Sequence, residues 1–134
     1  MMGENFAQFE KWLGTENSSW HEYHLHFAAE ELQKFSQEEW DRLLAAALSR
    51  PAWWQERCAE AVGEGEAGQG VPILLALLGS PYLLVMSIVA SELDNKEVRV
   101  PARYEPRLLQ LLRQLEEAAS SRASDVRRLL TQLL

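Results

Sequence analysis

The chain has 134 residues, 47% of them apolar and 25% charged, the balance of a globular protein and not of a disordered segment. Its formal charge is −7; residues 1–66 carry 13 acids against 5 bases, a local net of −8, whereas residues 67–134 carry 7 against 8. A field of that sign repels nucleic acid and anionic lipid and steers toward basic proteins, and the single cysteine, Cys58, excludes an intrachain disulfide.

This length predicts one domain over residues 1–134. The start Met1-Met2-Gly3-Glu4-Asn5 has neither a basic nor an apolar leader segment, so a cytoplasmic setting is expected. Phe6, Phe9 and Trp12-Leu13 recur at helical spacing, which predicts a short helix over residues 4–13 ending at Gly14. Thr15–Ser19 is turn-like. From Trp20 to Phe27 the pattern has a period of two, which predicts a short extended segment before helical character resumes at Ala28–Phe35.

Ser36-Gln37-Glu38-Glu39 is a capping box, so a helix starts there. Phe35 and Trp40 stand at the two positions of a hydrophobic staple, and Trp40, Leu43, Leu44, Ala47 and Leu48 continue as an apolar stripe. Pro51 suits the first turn of the next helix, which is expected to reach about Val62 with Trp54, Cys58, Ala61 and Val62 inward and Glu56, Arg57 and Glu60 facing water. Residues 63–70 hold four glycines and read as a loop.

Val71 to Ser91 contains no charged residue, a run long enough for a bilayer. Gly79-Ser80-Pro81 divides it into two segments that are each too short to span, and no basic cluster flanks them, so two buried helices are expected and no membrane span. Lys96–Glu105 reads as a loop, with Val98 and Val100 in a brief extended turn. Pro106 opens a helix with Leu108, Leu109, Leu111, Leu112 and Leu115 on its stripe, and a last helix follows Ser124, read as its cap, with Val126, Leu129, Leu130, Leu133 and Leu134. The fold class expected is all-α, a compact stack of six to seven helices.

Chemistry-bearing motifs are scarce. The chain has no GxSxG elbow, phosphate loop or GxGxxG, and adjacent acids such as Glu30-Glu31 and Glu116-Glu117 splay apart on helices. Cys58 has apolar helical neighbours, which reads as core. His21, His24 and His26, with Glu22, lack the further ligands a metal site needs; they read as surface or partly buried imidazoles, or with Trp20 and Tyr23 as part of a recognition surface. No catalytic residue, metal or cofactor is expected. Trp53 and Trp54 diverge by about 100° on a helix, so Trp54 takes the core and Trp53 is the candidate surface anchor.

Leu77-Leu78-Gly79-Ser80-Pro81, followed by Val85, Val89-Ala90-Ser91 and Leu93, resembles a HEAT repeat: paired leucines, a turn, proline, then valine, small residues and leucine. It covers about one repeat, and Met86 stands where such repeats commonly carry arginine. In size, acidity and helical pattern the chain also resembles small acidic immunity proteins of bacterial toxin–immunity systems. That resemblance implies a non-enzymatic protein that binds and neutralises a cognate toxin domain with a basic surface. Trp53, Glu38, Glu39, Asp41, Glu56, Glu60, Glu64 and Glu66 are the candidate partner-binding residues. The alternative is a HEAT-like scaffold or adaptor; a monomer or weak homodimer is expected.

Overall fold

The computed structural model describes residues 3–134. Among them it contains eight α-helices and no strand: α1 (Glu4–Leu13), α2 (Glu22–Gln33), α3 (Gln37–Ala46), α4 (Ala52–Glu64), α5 (Gly70–Leu77), α6 (Leu83–Asn95), α7 (Glu105–Glu117) and α8 (Ala123–Thr131). Short 3-10 turns at Ala47–Ser49 and Ala102–Tyr104 precede α4 and α7. The all-α expectation holds. No described helix is long and apolar enough to cross a membrane.

Helices α4 and α6 form the centre: α4 touches α1, α2, α5 and α6, and α6 touches α4, α5, α7 and α8. Their apolar faces explain the arrangement. On α4, Trp54, Cys58, Ala59, Ala61 and Val62 are buried, and on α6 the whole run Val85–Ala90 and Leu93. Buried small residues, Ala59 and Ala61 on α4 and Ala90 on α6, let neighbouring backbones approach closely. A single hydrophobic cluster extends from Phe6 to Leu129.

The ends of several elements follow local chemistry. The Ser36 hydroxyl accepts from Glu39 N–H at 3.2 Å while the Ser36 N–H donates to Glu39 Oε1 at 3.0 Å, and the rings of Phe35 and Trp40 meet edge-on at 5.2 Å. Gly14 ends α1 at φ +80°, with Ser18 Oγ only 2.2 Å from where a Cβ would lie, so glycine is required there. At the ends of α6 and α7 the left-handed position falls instead on Glu97 (φ 56°) and Ala119 (φ 53°), and the bonds Val98 N–H to Leu93 O and Ser120 N–H to Leu115 O close both turns.

Several expectations are corrected. Residues 22–27 are helical, not extended, because Trp12 of α1 stacks on Phe27 at 4.7 Å and meets His24 at 6.4 Å, placing both on one helix face against an antiparallel neighbour. Helix α4 continues through Gly63 and Glu64, shortening the glycine loop. Leu44 and Leu48 are 43% and 47% exposed, since the buried face of α3 and the turn after it is formed by Glu39, Trp40, Leu43 and Ala47. Leu109 is likewise exposed on α7. Arg122, not Ser124, is the N-cap of α8; the Ser124 hydroxyl donates to Ser121 O at 3.0 Å. Val98 and Val100 belong to no strand; Val100 is buried and its carbonyl accepts from Leu134 N–H at 3.0 Å.

Candidate functional site

Glu56, Glu60 and Glu64 recur every four residues on α4 and so share one stripe. Glu22, His26 and Glu30 do the same on α2. The two helices run side by side in the same direction: the Trp20 indole N–H donates to Glu60 Oε2 at 3.2 Å, and His26 Nδ1 lies 3.3 Å from Glu64 Oε1. Two open concavities mark the groove between them. One, of about 310 Å³, is lined by Trp20, His21, Glu22, Leu25 and Glu60. The other, of about 230 Å³, is lined by His26, Ala29, Glu30, Gln33, Glu64, Gly65 and Glu66. The groove is therefore acidic from end to end.

Crowding of carboxylates shows in their protonation. Glu56 is raised above the ordinary glutamate value by partial burial and by Glu60, against the pull of Arg57. Glu92 of α6, on the inner side of α4, is raised further, to about 7, first by burial and then by Glu60 and Glu64, with Lys96 and Arg122 opposing.

Aromatic side chains form the wall on the α1 side. Tyr23 stacks on His24 at 4.0 Å, His24 on His21 at 5.6 Å and on Trp20 at 6.2 Å, and Trp12 on Phe27 at 4.7 Å. Tyr23 and Phe27, at 54% and 42%, are exposed members, as is His21. The three histidines are thus spent on stacking and on Glu64, and among the described residues no group of three His, Cys, Asp or Glu side chains is placed to hold a metal ion.

Arg57 holds this wall in register. Its guanidinium donates to Leu13 O (2.6 Å), Thr15 O (2.9 Å) and Ser18 O (3.0 Å), and lies over the rings of both Trp20 (5.6 Å) and Trp53 (5.1 Å). The expectation that it faces water fails, because it satisfies the carbonyls at the end of α1. Trp53 is half-buried, packed against the core and partly covered by Arg57, so Tyr23 and Phe27 present more free aromatic surface than it does.

The structure divides the candidate acids. Glu60, Glu64 and Glu66 line the groove, and Glu56 stands one turn before Glu60 on the same stripe of α4. Glu38 and Asp41 line other concavities, the first with Gly3, Glu39 and Arg42, the second with Trp40, Leu44, Gln69, Pro72 and Ile73. Glu39 is buried and employed internally: it accepts from Phe6 N–H (2.8 Å), Ser36 N–H (3.0 Å) and the Asn5 amide (3.2 Å). Burial would raise its pKa, but the hydrogen bonds from Ser36, Phe6 and Asn5 prevail and hold it below the ordinary value. Sequence reasoning missed Glu22, Glu30, Glu92 and Arg57 as members of the site. The first two were within reach, since a helical reading of residues 22–33 puts them on one stripe with His26.

Cys58 is fully buried, and burial together with Glu10 pushes its thiol far up, which keeps it protonated and unreactive. No family model matches the chain, and no curated protein or solved structure was found similar to it.

Proposed function

We propose that this protein is a non-enzymatic binding domain whose α2–α4 groove docks a basic surface of a protein partner, and that it acts as an immunity protein that neutralises a cognate toxin domain. The observation that carries the reading is the pairing of Glu22 and Glu30 on α2 with Glu60 and Glu64 on α4 along one groove, with Trp20 and His21 in its lining and the exposed Tyr23 and Phe27 on the same helix α2. An acidic rim beside aromatic anchors suits rapid, charge-steered docking of a cationic partner. Glu66 extends the rim; Glu38 and Asp41, on other surfaces, are assigned no part in it.

The test is co-expression with a toxin encoded beside the gene. Reversal of Glu56, Glu60 and Glu64 to lysine abolishes rescue with helicity unchanged, whereas reversal of Glu38 and Asp41 leaves it intact. A neighbouring gene product without toxicity, or rescue that survives the α4 reversal, overturns the reading. The HEAT-like scaffold alternative draws on a different surface, the exposed Leu109 and Leu134 near the C-terminal helices. Light scattering coupled to size exclusion decides its dimeric form, which a strict monomer rejects.

A further inference from the structure

At Gly63, α4 passes against the Glu92 side chain of α6. A methyl group added at Gly63 would lie 1.9 Å from Glu92 Oε2, 2.3 Å from Cδ and 2.6 Å from Cγ. Only a residue without a side chain leaves that carboxyl its place in the seam. There the charges that act on it are Glu60 and Glu64 of α4, Lys96 at the end of α6 and Arg122 at the start of α8. Helix α5, also packed on α6, carries no titratable residue, and α7 contributes none to the cluster. His26 of α2 reaches it only through Glu64.

Both cations are committed elsewhere. Lys96 Nζ donates to Gly65 O at 2.5 Å, and Arg122 donates to Ser91 Oγ at 3.4 Å, a hydroxyl that itself donates to Asp125 at 2.6 Å. Among the described residues, no hydrogen bond or ion pair reaches the Glu92 carboxyl. Three carboxyls from two helices thus act on one another: Glu60 is bonded by the Trp20 indole and Glu64 lies against His26, while Glu92, among the described residues, has no bonded partner. Ionising the third sets like charges against one another in a partly desolvated seam.

We propose that Glu92 is a proton-operated latch between α4 and α6: protonated, it lets the two helices close over it, and ionised, it loosens them by repulsion from Glu60 and Glu64. The geometry of the seam carries this inference, which is independent of any partner. A carboxyl raised from 4.5 unfolded to about 7 folded holds an extra proton in the native state between those values. Its contribution to stability is full below about pH 4.5, declines as pH rises toward 7 and is gone above it.

The experiment is a side-chain carbon NMR titration of Glu92 in the full chain, with Glu92→Gln to identify its resonance and thermal melts of both proteins from pH 5 to pH 8. We expect a wild-type midpoint near 7. Gly63→Ala expels the carboxyl and returns the midpoint to the ordinary glutamate value. Glu92→Gln, a mimic of the protonated form, melts with the wild type near pH 5 and above it at pH 8, and amide exchange in α4 and α6 of the wild type quickens over the same range. An ordinary wild-type midpoint, or melting curves for the two proteins that stay parallel across the range, overturns the proposal. Should the glutamine variant fail to fold, the comparison of wild type with Gly63→Ala still decides.

Discussion

Ser80 donates its hydroxyl proton to Gln55 Oε1 at 2.7 Å, with both side chains fully buried. The same hydroxyl accepts from Tyr82 N–H at 3.2 Å, and the Gln55 amide donates to Arg50 O at 2.8 Å. One glutamine therefore ties the start of α4 to the turn between α5 and α6. Ser80→Ala strands the Gln55 oxygen and the Tyr82 amide, and should lower stability by about 1–3 kcal/mol in chemical denaturation. A change under about 0.5 kcal/mol, typical of surface sites, would contradict the assignment.

Glu39→Gln replaces a triple acceptor with a group that can only partly receive the Phe6 and Ser36 amides, and should cost about 1.5–3 kcal/mol at pH 7. Because the folded pKa lies below the unfolded 4.5, ionised Glu39 stabilises the fold above that value, and the contribution is lost as pH falls through the folded pKa. Denaturation at pH 7 and at pH 3 should show the gap between wild type and variant narrowing with acid.

Arg57→Met keeps the aliphatic stem and removes the fork. The carbonyls of Leu13 and Ser18 lose their side-chain donor while that of Thr15 keeps the Ser18 N–H and hydroxyl, for a cost of roughly 2 kcal/mol, and exchange of amides 14–20 should accelerate while α6 to α8 stay protected. Arg57→Lys restores little, since an ammonium cannot reach the same carbonyls and cover two indoles together.

Ala119 holds a left-handed conformation at the end of α7. Ala119→Gly should raise stability by roughly 1 kcal/mol, because glycine adopts φ 53° without the Cβ penalty. Unchanged or lower melting would show that α7 does not end in this turn in solution.

What the sequence made legible was local. The Ser36–Glu39 box, the Phe35–Trp40 staple and the break at Gly79–Pro81 each depend on residues a few positions apart, and each stands where expected. The alternation at 20–27 misled because His24 faces aromatic neighbours and not solvent, so polarity ceased to report direction. Glu39 read as a surface acid because its main-chain partner, Phe6, is 33 residues away. The α4 stripe of the candidate groove was visible as a four-residue spacing and the α2 stripe becomes so once residues 22–33 are read as helix, while the approach of Glu92 from α6 depends on long-range packing that no local pattern encodes.

Helix α1 has no side-chain cap of its own at Gly3. Its first turn receives the Glu39 carboxylate at Phe6 N–H, and its last turn yields the Leu13 carbonyl to Arg57. A negative group at the amino end and a positive group at the carboxyl end match the helix dipole, and both are lent by other helices. Although Glu4 and Lys11 also stand at the matching ends, a segment of ten residues would be largely coil in isolation, so α1 leans on α3 and α4 for its helix. Removing either lent group should therefore fray α1 while the centre holds, freeing Trp12 from Phe27 and opening the aromatic wall, which amide exchange over residues 4–13 would show.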